Sequence, residues 1–175
     1  MLNILRIISL ILIMGATTGA GFVYGESMRK RVNQLKEMEI ILYNLKNQIE
    51  FTNTSLPEAM DSASENAKGP VKEIFKEISR MLFNNSVEDV FQAFNISIAS
   101  NKDKTCLTKE DINILVDFSK SIGNMDIAGQ RSIFNLTLEN IKKQINEAEN
   151  TLKKNVKMYR YLGFSIGAMI DIMII

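Results

Sequence analysis

Residues 32–49 read VNQLKEMEIILYNLKNQI. Apolar side chains recur there at Val32, Leu35, Met38, Leu42, Leu45 and Ile49, while Lys30, Lys36, Glu37 and Lys46 fill the opposite side. A repeat of three and four residues is the period of an α-helix with one buried stripe. From Leu35 to Ile49 the 3,4,3,4 spacing runs over two heptads, which permits coiled-coil-like packing without requiring it. The helix is expected over 27–52. It ends where Thr52, Asn53 and Thr54 lower the propensity and Pro57 intervenes.

Beyond that break the helical signal repeats. Pro57 suits the first turn of a second helix, where its missing N–H would be unpaired anyway, with Ser55 or Leu56 at the cap. This short polar helix reaches about Ala67 and is stopped by Gly69-Pro70. VKEIFKEISRMLF, residues 71–83, sets Val71, Ile74, Phe75, Ile78 and Leu82 on one face. Asn84-Asn85 makes a turn. Ser86 with Asp89 has the form of a capping box, opening a helix whose apolar face is Val87, Val90, Phe91, Phe94 and Ile98. ASNKDKTC, residues 99–106, is a polar loop. Thr108 ahead of Lys109-Glu110-Asp111 starts a helix that buries Ile112, Leu115, Val116 and Ile122 and ends at Gly123. Asp126 is placed to cap a last helix. No proline interrupts it from Ile127 to Tyr159, and Ile133, Phe134, Leu138, Ile141, Ile145, Leu152 and Val156 keep its period. No segment sustains strand alternation, so the class is all-α.

Composition narrows the function. The 175 residues suit one domain, and a net charge of +1 provides no global field towards nucleic acid. There is no histidine, and Cys106 is the single cysteine. An internal disulfide and the usual zinc constellations are therefore excluded, along with the commonest general base near neutral pH. Cys106 lies beside Lys102 and Lys104 but has no histidine to activate it. No Gly-rich phosphate loop precedes any helix. The Lys-rich stretch IKKQINEAENTLKKNVK alternates in sign and reads as a solvated helix face rather than a nucleic-acid surface. Asp61, Glu65, Asp111 and Asp117 are acids of the kind any helical protein offers. The expectation is a protein without catalysis, cofactor, metal or small-molecule substrate.

Both ends are oily. Ile7 to Gly25 is nineteen residues without a charge, close to the length that crosses the roughly 30 Å of a bilayer core. Gly15 with Gly19, and Gly21 with Gly25, form small-xxx-small pairs that let helices approach in lipid. A cleaved signal peptide competes with a retained span: Arg6, the core Ile7–Met14 and Thr18-Gly19-Ala20 meet its requirements loosely. Arg29, Lys30 and Arg31 follow at once and favour retention. At the other end Met158 to Ile175 is long enough to span, with Arg160 able to snorkel, Tyr159 and Tyr161 at interfacial positions, and Gly163 with Gly167 as a third small pair. Both oily ends carry their positive flank towards the middle. The expected division is a transmembrane helix over 1–25, a cytoplasmic bundle over 26–157 and a second transmembrane helix over 158–175. Asp171 is either hydrated near the far interface or turned to a partner helix or a polar path.

SLPEAM at the first break, SIGNMDIAGQRSIFNLTLENI leading into the last helix, and YLGFSIGAM in the final span together resemble the stage III sporulation protein AB family. The resemblance runs along essentially the whole chain. It implies a fold similar to the F-type inner-membrane platform protein of type II secretion and type IV pilus machines: a six-helix antiparallel bundle with a membrane helix at each end. The implied role is a non-enzymatic scaffold, in the mother-cell membrane around the forespore, of the channel complex needed for endospore formation. The implied partners are other proteins of that channel, including a motor ATPase, and a homo-oligomer is compatible with the same role. Carried onto this chain, the motifs single out Leu56, Pro57, Glu58 and Ala59 at one helix start, Gly123 at a helix end, and Asp126 with Gln130 at the start of the last. They act as caps and stops or as a docking surface for the ATPase. Asp171 departs from what the resemblance leads one to expect in the final span. A second reading is a membrane-tethered helical module that recruits a different cytoplasmic partner.

Overall fold

The computed structural model describes the backbone of residues 2–52, 54–123 and 127–174, and the side chains of 15, 19, 22–52, 54–123, 129–154 and 165. Six α-helices follow one another: α1 (Leu2–Thr52), α2 (Leu56–Glu65), α3 (Gly69–Phe83), α4 (Val90–Ser100), α5 (Lys109–Ile122) and α6 (Ile127–Ile174), with a 3₁₀ turn at Lys102–Lys104. No strand occurs among the described residues. The chain divides into two compact units, one of residues 1–30 with 148–175 and one of residues 31–147.

Within residues 31–147 the helices alternate in direction. Lys46 Nζ donates to Asn135 Oδ1 at 2.7 Å, and Lys142 pairs with Glu39 at 3.9 Å, so α1 and α6 run antiparallel. Gln48 donates to Ser62 on α2, the Ser79 hydroxyl on α3 donates to the Pro57 carbonyl, and the Ser97 hydroxyl on α4 reaches the Ile74 carbonyl. These links set α2 against α1, α3 against α2 and α4 against α3. One end of this unit gathers the end of α1, the start of α2, the end of α3, the start of α4, the end of α5 and the start of α6; it is called the distal end below. The opposite end holds Arg31, the start of α5 and Gln144.

Apolar burial holds the bundle. From α1, Leu35, Met38, Ile41, Leu42 and Leu45 are wholly enclosed and Val32 is buried; Ile41 joins the stripe that the spacing predicts, while Ile49 is only half-buried. Four buried phenylalanines cross the unit from helix to helix. Phe75 on α3 meets Phe94 on α4 edge-on at 5.7 Å between ring centroids, Phe94 meets Phe118 on α5 at 6.1 Å, and Phe118 meets Phe134 on α6 at 5.1 Å. Tilted and edge-to-face contacts are the geometries that aromatic quadrupoles favour.

Local rules explain the boundaries. The capping box at α5 is complete: Thr108 Oγ1 accepts from the Asp111 N–H and Asp111 accepts from the Thr108 N–H. At α4 the cap is Asp89, which accepts from the Gln92 N–H at 2.7 Å; Ser86 is not the cap, and Val87 precedes the helix. Gly69-Pro70 does not end α2, which stops at Glu65; it opens α3. Gly69 has φ +68°, a left-handed value that a side chain resists. The buried face of α4 is also rotated from the predicted one: Ala93, Phe94 and Ser97 are buried, whereas Val90, Phe91 and Ile98 are only half-buried. On α5, Phe118 and Ser119 are buried where Ile112 and Val116 were expected. The polar loop expected over 99–106 begins later, because α4 continues through Ser100.

Among the described residues no helix is long and apolar enough to cross a membrane. The two expected spans fall on stretches whose side chains lie for the most part outside the described residues. Asp126, expected to cap the last helix, lies outside them as well.

Candidate functional site

The distal end collects most of the residues that the sequence motifs single out. Pro57 opens α2 behind Ser55, whose side chain makes no cap bond; its carbonyl accepts from Ser79 at 2.8 Å, tying the α2 start to α3. Leu56 and Pro57 are half-buried, and Glu58 is exposed in the first turn of α2. Ala59 and Met60, which complete the motif, are fully buried. Gly123 follows α5 at φ −77°, and a Cβ built there would lie 3.6 Å from Val90 on α4, an ordinary contact. Gln130 Nε2 donates to the Ile122 carbonyl at 3.3 Å, which joins the first turn of α6 to the last of α5. Gln130 thus links α5 to α6, whereas neither the φ of Gly123 nor its neighbours require a glycine there.

Two large apolar side chains stand out beside these residues. Phe51, at the end of α1, is 74% exposed, and Phe83, at the end of α3, is 55% exposed. Phe83 also lines a pocket of about 190 Å³ with Asp61, Lys76, Ser79 and Arg80, between α2 and α3. Glu50, half-buried, has its Oε1 enclosed; that atom lies 3.4 Å from Arg131 Nε and 3.9 Å from Lys46 Nζ, and makes no hydrogen bond. A groove of about 130 Å³ lies between α5 and α6, lined by Ile114, Phe118, Ile133 and Leu136 among others.

The other end of the bundle holds a polar clamp that spacing did not reveal. Arg31 Nε and Nη2 donate to Asp111 Oδ2 and Oδ1 at 2.8 and 2.9 Å, and Nη2 also donates to Gln144 Oε1 at 3.0 Å. The Asp111 side chain is fully buried and that of Arg31 is 20% exposed. The hydrogen bonds from Asp111 raise the Arg31 pKa further above its ordinary value, against the opposing effect of burial. One carboxylate thus caps α5 and receives α1. Close by, Gln34 Oε1 accepts the Cys106 N–H at 2.8 Å, so the cysteine is part of a loop held onto α1. A parallel latch joins α3 to the end of α4, where Glu77 Oε2 accepts from Ser100 and Asn101 and lies 2.9 Å from the Ser97 hydroxyl.

A family model described as stage III sporulation protein AB matches residues 6–175. The chain belongs to that family. The stage III sporulation protein AB of Bacillus subtilis (strain 168) is 25% identical to it over 170 residues, which covers 97% of this chain and 99% of the relative. A solved structure of a stage III sporulation protein AB superposes with a TM-score of 0.65 at 22% identity, covering 71% of this chain and 97% of the solved one. At that identity the superposition speaks to the fold, and the fold it matches is the six-helix one described above. The family is one of sporulation proteins, and that places the chain in spore formation.

Among the glycines expected to pack membrane helices, Gly15 and Gly19 are exposed, and a Cβ built at either meets nothing within 4 Å. Among the described residues, neither is packed closely by another part of this chain. Gly25 is half-buried. Gly21, Gly163, Gly167 and Asp171 lie outside the residues whose side chains are described.

Proposed function

We propose that the chain is a non-enzymatic platform in the membrane-bound channel complex between mother cell and forespore. In this reading residues 7–25 and 158–175 anchor it, residues 26–157 face the mother-cell cytoplasm, and the distal end of the bundle receives a motor ATPase. The observation that carries the docking part is the position of the motif residues. Leu56, Pro57, Glu58, Gly123 and Gln130 are far apart in sequence, yet they come to one end of the bundle, beside the exposed Phe51 and Phe83. Exposed aromatic residues on a rigid scaffold are favoured anchors for protein partners. The anchoring part rests on the uncharged stretch from Ile7 to Gly25 and on the basic flanks facing the middle of the chain.

Pull-down of the tagged chain from sporulating cells tests the docking part. The wild type is expected to bring down a motor ATPase, and Phe51→Ser with Phe83→Ser to lose it about thirtyfold or more, since losing two anchors of roughly 1 kcal/mol or more each has that effect. Capture of a different cytoplasmic protein through the same residues would favour a recruiting module instead. Capture unchanged by the double substitution would remove the distal end from the reading.

A further inference from the structure

Arg29, Lys30 and Arg31 are consecutive, but the structure sorts them. Arg31 turns inward to Asp111, while Arg29 and Lys30 are exposed. Lys153 and Lys154, on α6, are exposed as well. Residues 29 and 30 belong to the same compact unit as 153 and 154, so two separate helices contribute basic side chains to it. Acidic residues in those same stretches are Glu26, exposed, and Glu149, half-buried, which leaves the basic groups in excess. On α1 the basic pair is preceded within two turns by exposed Phe22, Val23 and Tyr24. Aromatic side chains followed by basic ones are the order in which a helix leaves a bilayer, the rings at headgroup depth and the cations just beyond.

We propose that Arg29, Lys30, Lys153 and Lys154 form a collar that selects anionic phospholipid, so that the protein is held preferentially where such lipid is abundant. The collar rests on the anchoring part of the reading above. The chemistry is that of cations close to a negatively charged headgroup surface, where each contributes separately and salt screens the sum. Arg31 takes no part, because its guanidinium is committed to Asp111 and Gln144.

The test uses the full chain in two measurements. Flotation with phosphatidylcholine vesicles reports anchoring. Native mass spectrometry of the detergent-solubilised chain, offered equal phosphatidylcholine and phosphatidylglycerol, reports selection. The wild type is expected to float, and to retain phosphatidylglycerol over phosphatidylcholine by about tenfold, approaching parity as salt is added. The variant R29Q/K30Q/K153Q/K154Q should float equally and lose the preference; R29K/K30R/K153R/K154R should keep it. Retention near parity in the wild type, or a preference unchanged in the glutamine variant, overturns the collar and leaves anchoring intact. Displacement of bound lipid by soluble glycerol phosphate also overturns it, in favour of a site for free phosphate. A wild type that fails to float removes the anchors and, because the collar rests on them, overturns both. If the glutamine variant loses its helical circular dichroism, the salt series and the charge-preserving variant decide.

Discussion

Arg31 illustrates how one side chain can belong to two accounts. In the sequence it is a member of a basic run beside an oily stretch; in the structure it is the bidentate partner of a fully buried carboxylate. Breaking such a pair on one side leaves a buried charge uncompensated. Arg31→Met is therefore expected to cost about 3–5 kcal/mol in urea denaturation of residues 26–157. Arg31→Met combined with Asp111→Asn should recover much of that, because no lone charge remains. The pKa of Arg31 is raised, so its contribution is complete below the ordinary guanidinium value and is lost only as pH climbs through the folded one. The clamp thus adds no pH dependence from Arg31 around neutrality. Glu110 behaves oppositely. The backbone N–H groups at the start of α5, together with Thr108, lower its pKa, so its contribution is present above the unfolded carboxylate value and fades as pH falls through the folded one. Comparing Glu110→Gln with wild type should show a stability difference at neutral pH that disappears in strong acid.

The helices were legible because their apolar residues keep a 3.6-residue period, and because Pro57, Gly69-Pro70, Thr108 and Gly123 punctuate the chain between them. Rotation about each helix axis was less legible. On α4 the spacing favoured Val90, Phe91 and Ile98, but the buried side includes Ser97, whose hydroxyl is satisfied by the Ile74 carbonyl and Glu77. A polar group with partners is inexpensive to bury, and those partners lie about twenty residues away, beyond the reach of any local pattern. Phe118 escaped for a related reason: its neighbours Phe94 and Phe134 come from other helices. Pro57, Gly123 and Gln130 lie at a helix start, a helix end and a first turn, yet their gathering at one end follows only from the alternating directions of the helices. Phe118→Ala should cost about 3–5 kcal/mol, since the ring is enclosed between two others and truncation leaves a cavity. Phe91→Ala, at a half-buried position, should cost clearly less in the same denaturation experiment.

The division of the molecule into residues 31–147 and the two terminal stretches makes a direct prediction. A fragment of residues 26–157 should be a soluble, helical protein that unfolds in one cooperative step, as small bundles with a single core do. Far-UV circular dichroism dominated by strand, or unfolding in separate steps for Phe118-centred and Leu42-centred reporters, would contradict it. Arg31 finds Asp111 80 residues later and Gln144 113 residues later. During synthesis, α2 to α5 can assemble through contacts between successive helices and receive α1 through Ser62 and Asp111, but the α1 pairings with Asn135, Lys142 and Gln144 wait until α6 has left the ribosome. Maturation is thus timed by the arrival of the last helix, and a chain truncated before Gln144 should surrender α1 to chaperones or proteases rather than wait as a half-built bundle.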